Sequence, residues 1–117
     1  MRGFLLQLKH TMNYLIAIVD DKHPDTALAF AKAVVNGGHT IARLFFFKNG
    51  VSIGESTHPA HSMWQDFSIQ HGVELILCSA AAQRRNIQPT AESAFTIGGL
   101  GLYAEAQTNG DKVIHFD

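Results

Sequence analysis

Apolar runs separated by short polar segments form the main pattern of this chain. Tyr14–Val19 and Val73–Cys78 are almost continuously apolar. Runs of this length and composition are typical of strands that are buried on both faces of a parallel sheet. Thr40–Phe47 and Lys112–Phe116 have weaker versions of the same pattern. The sequence therefore predicts four strands.

Between these strands, apolar residues recur at the three- and four-residue spacing of amphipathic helices. Ser62 is expected to begin a helix, because Gln65 three residues later completes a capping-box pattern. The predicted helices cover 25–36, 62–71, 79–85 and 98–108, and the segments 48–60 and 86–95 are expected to be connections.

Strands that alternate with helices predict a single α/β domain with a mainly parallel sheet. Right-handed crossovers would place helices on both faces of the sheet, in a flavodoxin-like layering. We expect the domain to cover residues 12–117, with residues 1–11 as a leader or frayed N-terminal extension. In such sheets, ligands and reactive groups collect at the carboxyl ends of the strands.

The composition limits the kinds of binding partner and the cellular compartment that we expect for this chain. Nine Lys and Arg against ten Asp and Glu give a net charge of −1 without a basic stripe, so tight, direct nucleic-acid binding is not expected. No apolar run approaches the roughly 18 residues of a membrane span, so no membrane partner is expected. A single cysteine permits no disulfide within the chain and fits a reducing, cytoplasmic location.

Cys78 has the most distinctive setting. It ends a predicted buried strand and precedes a predicted helix, whose unpaired amides and positive dipole end would favour a thiolate. Ser79 begins a run of small residues that lets a partner approach the sulfur, and Arg84 and Arg85 would add positive potential or bind that partner.

This setting points to sulfur transfer rather than disulfide exchange. A carrier of a terminal sulfur needs only one cysteine, whereas a disulfide oxidoreductase needs a Cys-x-x-Cys pair. The alternative is a buried, inert cysteine, which is the commoner role for a cysteine at a strand end.

Several segments match a known family in order along the chain. Cys78 is followed by small residues, an Ala-Ala-Ala run and an Arg-Arg pair, and an aromatic strand end and Gly-Val turn lie at 45–51. The other matching segments are Trp64-Gln65, 70–73, and a Gly-Leu-Gly…Ala-Glu-Ala segment within 95–106. On these motifs the chain, from about Asn13 to Phe116, resembles the DsrE/TusD family of sulfur-relay proteins.

The resemblance implies a parallel-sheet α/β fold and a sulfurtransferase that carries a persulfide on Cys78. It also implies an upstream persulfide donor protein, a downstream acceptor protein, and homo-oligomers or hetero-oligomers with related small subunits. In the TusD branch the sulfur travels toward 2-thiouridine in tRNA, and in the DsrE branch the architecture serves sulfur oxidation. The loop at 20–25 lacks the glycine of the family pattern, which leaves the branch and the assembly open.

Three histidines outside the cysteine loop are weaker candidates. His23 follows the first strand at the same sheet edge and could assist proton transfer at Cys78, although solvated loop histidines are common. His58 and His61 form a His-x-x-His pair, which is too few ligands for a zinc site. We therefore expect no metal and no cofactor.

Two other functions stay open at this point. The chain could be a structural subunit of a relay complex that carries no sulfur itself. It could also be a small-ligand-binding module of flavodoxin-like architecture. The retained Cys78 argues against the first, and the lack of a phosphate-binding loop after the first strand argues against the second.

Overall fold

A computed structural model describes residues 11–117, so the predicted leader lies almost wholly outside the described residues. The strands are β1 Asn13–Ile18, β2 Thr40–Phe46, β3 Leu75–Cys78, β4 Phe95–Gly98 and β5 Lys112–Phe116. The α-helices are α1 Pro24–Asn36, α2 His61–His71, α3 Ser79–Arg84 and α4 Leu100–Asn109, and a 3-10 helix covers Lys48–Gly54. In this part of the chain, no helix is both long and apolar enough to cross a membrane.

The five strands form one parallel sheet in the order β4-β3-β2-β1-β5. The first four strands follow one another across the sheet, and the connection from β4 to β5 then crosses back. Because crossovers are right-handed, this reversal places α4 on the face opposite the other helices. The predicted fold class, a parallel α/β domain with helices on both faces, is confirmed.

The two faces of the sheet carry cores of different size. Side chains of successive strand residues point to opposite faces. The larger core lies between the sheet and α1, α2, α3 and the 3-10 helix, and it includes Ile18, Phe46 and Leu77. On the other face, Phe45 and Ile76 pack with Ala106 of α4 in a smaller cluster.

The strand β4 was not predicted, and the helix predicted at 98–108 begins later than expected. Phe95–Gly98 has only four residues, and Thr96 and Ile97 are exposed, so it lacks the pattern of a buried strand. It is a strand because it pairs with β3 in parallel register. Gly98 ends this strand and Gly99 is extended, which moves the start of the helix to Leu100.

The predicted capping box at the start of α2 is also wrong. The residue at the N-cap is Ala60, and no side chain caps the helix. Instead, Gln65 Oε1 accepts a hydrogen bond of 3.0 Å from the Ala94 amide, just before β4. The glutamine therefore holds the entry to the edge strand against α2.

Candidate active site

The site is built where β3 and β4 end. The chain leaves β3 toward α3 on one face and leaves β4 toward α4 on the other. Two neighbouring strands whose connections diverge in this way leave a crevice at their carboxyl ends, where α/β proteins bind ligands. Cys78 and Gly98 are the paired residues at this point. Gly98 is closely packed, because a Cβ there would lie only 2.5 Å from the Ile76 Cγ2 atom.

Cys78 occupies the N-cap position of α3. Its side chain makes no capping hydrogen bond, so the thiol does not bond to the backbone amides of α3. The residue is half-buried, with one side against the larger core. Its other side lines an open pocket of about 480 Å³. The thiol is therefore held by the core and open to an incoming molecule.

The wall of this pocket combines two cationic side chains with apolar and hydroxyl groups. Besides Cys78, its lining includes Phe47, Lys48, Arg84, Leu100, Tyr103, His115 and one acidic residue, Asp117. These residues come from the ends of different strands, from the end of α3 and from the first turn of α4. Arg84 makes no hydrogen bond or ion pair within the described part of the chain. The two cations outnumber the one carboxylate, so the pocket is suited to a small group that carries negative charge.

Lys48 reaches this pocket from a strained backbone. It follows β2 with φ of 47°, in the left-handed region that costs a residue with a side chain roughly 1–2 kcal/mol. Strained residues of this kind cluster at functional sites, where the surrounding structure holds them. The sequence predicted only a connection here, and no local signal marked Lys48.

Tyr103 forms the aromatic side of the pocket. Its ring packs edge-on against Phe45 and Phe47, with centroids 5.2 and 5.1 Å away. Its hydroxyl is hydrogen-bonded to His115 Nε2 at 3.2 Å. Burial raises the pKa of the Tyr103 phenol above its ordinary value of 10.0. The phenol is therefore neutral at physiological pH and keeps its proton for donation.

The two adjacent arginines of α3 have different surroundings. Arg85 donates from Nη1 to the Ala81 carbonyl at 3.1 Å and from Nη2 to Asn49 Oδ1 at 2.9 Å. It therefore ties the end of α3 to the 3-10 helix. Arg84, by contrast, lines the pocket with Cys78. The sequence predicted the same role for both arginines, but in the structure only Arg84 lines the pocket.

The other predicted site residues lie around this pocket rather than in it. His23 lines a neighbouring pocket of about 310 Å³ together with Ile18 and Phe116. Ser79 lines a separate depression with Gln83 and Ile97. The roles suggested for His23 and Ser79 stay predictions.

The two histidines of the His-x-x-His pair have separate partners. His61 is buried, and its Nδ1 is hydrogen-bonded to the Ile53 carbonyl at 2.9 Å. His58 Nε2 lies 3.2 Å from Asp21 Oδ2. Among the described residues, no group of three His, Cys, Asp or Glu side chains is placed to hold a metal ion.

Comparison with known proteins decides the family. A model of the DsrE/DsrF-like family matches residues 12–116. The chain belongs to this family. The DsrE/DsrF-like chain is 38% identical over 110 positions to the sulfurtransferase TusD of Salmonella typhi, covering 78% of this chain and 86% of the relative. The TusD of Salmonella paratyphi B matches with the same identity and coverage.

The same fold occurs in a solved structure. The crystal structure of the YchN protein from E. coli superposes with a TM-score of 0.71, at 21% identity, over 91% of this chain and 99% of that one. The resemblance drawn from the motifs is thus confirmed. The predicted class of activity, sulfur transfer, is the one named for the TusD relatives.

Three pocket residues of this DsrE/DsrF-like protein were missed at the level of sequence: Lys48, Tyr103 and His115. Lys48 and His115 lie at or near the carboxyl ends of predicted strands, and Tyr103 lies in a predicted helix. The rule that parallel strands bring their carboxyl ends together was the available signal for the first two. Only the strand order, however, shows that the end of β2, near Lys48, lies beside β3, whereas β5 with His115 lies three strands away.

Proposed function

We propose that this DsrE/DsrF-like protein is a sulfurtransferase that carries a terminal sulfur as a persulfide on Cys78. Its similarity to the TusD sulfurtransferases supports a role in sulfur relay. The observation that carries the finer proposal is the placement of its one cysteine, which opens into a pocket lined by Lys48 and Arg84. These two cations favour the negative charge that a thiolate or persulfide brings into the pocket.

Loading is a displacement between two sulfurs. The Cys78 thiolate attacks the terminal sulfur of a donor persulfide, and a bond forms between that sulfur and Sγ. The sulfur–sulfur bond of the donor breaks, and its electron pair leaves with the donor thiolate. No oxidant or reductant is consumed. Lys48 and Arg84 would reduce the repulsion between the attacking thiolate and an ionised persulfide.

Unloading repeats the same displacement with a new thiolate. A cysteine of the acceptor attacks the terminal sulfur on Cys78, and Cys78 leaves as a thiolate. Because the chain has one cysteine, both the donor and the acceptor sulfur must come from other molecules. The rim of the pocket suits contact with a partner protein, since the Leu100 side chain is 68% exposed.

The test of this function is the mass of the intact protein after incubation with a cysteine desulfurase and L-cysteine. We expect a gain of one sulfur atom that a reducing agent removes. Peptide mapping should locate the added sulfur on the peptide that contains Cys78. Incubation with the desulfurase alone serves as the control. A mass that stays unchanged, although Cys78 can be alkylated, would contradict the proposal for this class of donor.

The destination that we propose is the TusD-type route, in which the sulfur passes through a partner protein toward 2-thiouridine in tRNA. The 38% identity to TusD proteins favours this route over sulfur oxidation. In cells that lack the gene, we expect tRNA 2-thiouridine, measured by nucleoside mass spectrometry, to fall and to be restored by the wild-type gene. Unchanged 2-thiouridine would exclude this route without affecting the persulfide chemistry.

A further inference from the structure

A second pocket lies away from Cys78, between the segment before α2 and the segment before β4. Its volume is about 450 Å³, which is within the usual range for small-molecule sites. Its lining comes from 54–57, from the first two turns of α2 and from 86–93, and it shares no residue with the Cys78 pocket. The proposed sulfur transfer therefore leaves this pocket without a role.

The walls of this pocket are joined by hydrogen bonds and a ring contact. His61 Nδ1 bonds to the Ile53 carbonyl at 2.9 Å, which ties α2 to the 3-10 helix. The His61 ring also stacks on the Phe95 ring, with centroids 4.9 Å apart. The bond from the Ala94 amide to Gln65 holds the other wall against α2. The pocket is therefore formed before any ligand enters, which lowers the ordering cost of binding.

His61 presents an unpaired acceptor to this pocket, although the residue is only 7% exposed. Because a carbonyl can only accept a hydrogen bond, Nδ1 carries the proton, and the neutral ring has its lone pair on Nε2. Within residues 11–117, Trp64 Nε1 is the one side-chain nitrogen or oxygen of a buried or half-buried residue that is both fully enclosed and unpaired. His61 Nε2 has no partner in that part of the chain either, so it must border open space. The pocket is the space that His61 lines.

The fully charged side chains of the pocket are acidic. Glu55 and Glu92 line it from different segments, and no Lys or Arg does. The ion pairs of residues 11–117 use other carboxylates, so neither glutamate is neutralised within that range. The positive end of α2 also lies here, but its effective charge of about +0.5 is smaller than the two negative charges. Further acceptors are the hydroxyl groups of Ser56, Thr57, Ser62, Thr90 and Ser93. The pocket therefore favours a cation that donates several hydrogen bonds.

We propose that this pocket binds a guanidinium group. A guanidinium is planar and carries five N–H donors, so it can bond to acceptors on more than one wall at once. One N–H donates to His61 Nε2, and others donate to the Glu55 and Glu92 carboxylates. The alkyl stem lies against Ile87 and Pro89, which also line the pocket. A free small molecule and an arginine side chain of a partner protein share this chemistry.

The experiment is a titration of the nitrogen-labelled full chain, followed at each backbone amide by two-dimensional NMR. One probe is N-acetyl-L-argininamide, which presents arginine as a protein does, and another is free L-arginine. The matched control is N-acetyl-L-citrullinamide, which has nearly the same shape but no charge. Inorganic phosphate is the anionic probe. No sulfur donor is needed, so the result does not depend on the proposed function of Cys78.

We expect N-acetyl-L-argininamide to bind with a millimolar Kd and to shift the amide signals of Ser62 and Thr90. The citrulline analogue should bind about tenfold more weakly, because it lacks charge-assisted hydrogen bonds. Glu55→Gln and Glu92→Gln should each weaken binding about threefold, as for exposed ion pairs, and added salt should weaken it further. Asp66→Asn should leave binding unchanged, because Asp66 is an exposed carboxylate of α2 outside the pocket.

A variant of His61 tests the buried acceptor directly. His61→Asn keeps an N–H for the Ile53 carbonyl but removes Nε2, and we expect it to weaken binding about tenfold. Circular dichroism verifies that this variant is folded. If it is not folded, the two glutamate variants still decide the proposal, because both change exposed side chains.

Three results would overturn the guanidinium site. One is equal binding of the arginine and citrulline analogues. Another is binding that is unchanged in both glutamate variants. The third is no response to the arginine analogue, including a response to phosphate alone, which would assign the pocket to an anion at the start of α2. If the site is present, tighter binding of N-acetyl-L-argininamide indicates an arginine of a partner protein, and tighter binding of free L-arginine indicates a small molecule.

Discussion

Replacement of Cys78 with serine is expected to abolish sulfur loading while the protein stays folded. A serine hydroxyl is not ionised at physiological pH and cannot form a persulfide, so the variant loses the reacting atom. The fold should tolerate the change, because Cys78 is half-buried at a strand end and its side chain makes no capping hydrogen bond. Intact mass after incubation with the desulfurase and L-cysteine measures the loss. Thermal unfolding should show a stability change of about 1 kcal/mol or less.

A Cys78→Ala variant separates loss of the sulfur from any effect of the new hydroxyl. Both variants should gain no reducible sulfur, because the chain has no second cysteine to take over. A reducible sulfur on Cys78→Ser would show that the carrier is another group, and the proposal would be rejected. A variant that lost loading because it had unfolded would give no information about the role of Cys78. Both variants therefore require the unfolding measurement.

Replacement of Phe46 with alanine is expected to cause the largest loss of stability. Phe46 lies on the central strand β2, its side chain is 0% exposed, and its ring is 5.6 Å from the Trp64 ring and 5.4 Å from the Phe95 ring. Removing a buried phenylalanine costs about 3–5 kcal/mol through lost burial and the cavity left behind. The total free energy of unfolding of a domain is typically only about 5–15 kcal/mol. Urea unfolding followed by circular dichroism gives the difference in the free energy of unfolding.

Ile69→Ala is the control for this prediction, because the Ile69 side chain is 70% exposed. Its effect on the free energy of unfolding should lie within about 0.5 kcal/mol, as for most surface substitutions. A cost below about 1 kcal/mol for Phe46→Ala would mean that the core between the sheet and α2 is packed differently from this structure.

Much of the fold could be predicted because its signals are local. A continuous apolar run indicates a buried strand, and Tyr14–Val19 contains all but the first residue of β1. The helical spacing at 25–36 gave α1 to within one residue. Cys78 could likewise be placed at the end of a strand. Each of these predictions depends on neighbours within a few residues of the chain.

The edge strand β4 could not be predicted in this way. Its four residues include two exposed ones and a glycine, and it is a strand because β3 supplies its hydrogen-bonding partner. Pairing across 20 residues of chain is a tertiary contact, and no local pattern at Phe95–Gly98 indicates it.

The surroundings of the site also depend on packing. Arg84 and Arg85 are neighbours in a helix, so their side chains point about 100° apart, and only the packing of α3 decides which one enters the pocket. In β5, Phe116 contacts Phe30 on the face of α1, and strand alternation turns His115 toward Tyr103 on the other face.

The sequence by itself determined an α/β chain with one cysteine at the end of a buried strand, because helical and strand patterns and residue identity are local properties. The tertiary structure alone decided that Lys48, Arg84, Tyr103 and His115 line one pocket with that cysteine. These residues are up to 67 positions apart in the chain, from Lys48 to His115. The strand order and the faces taken by the helices bring them together, and both depend on long-range packing.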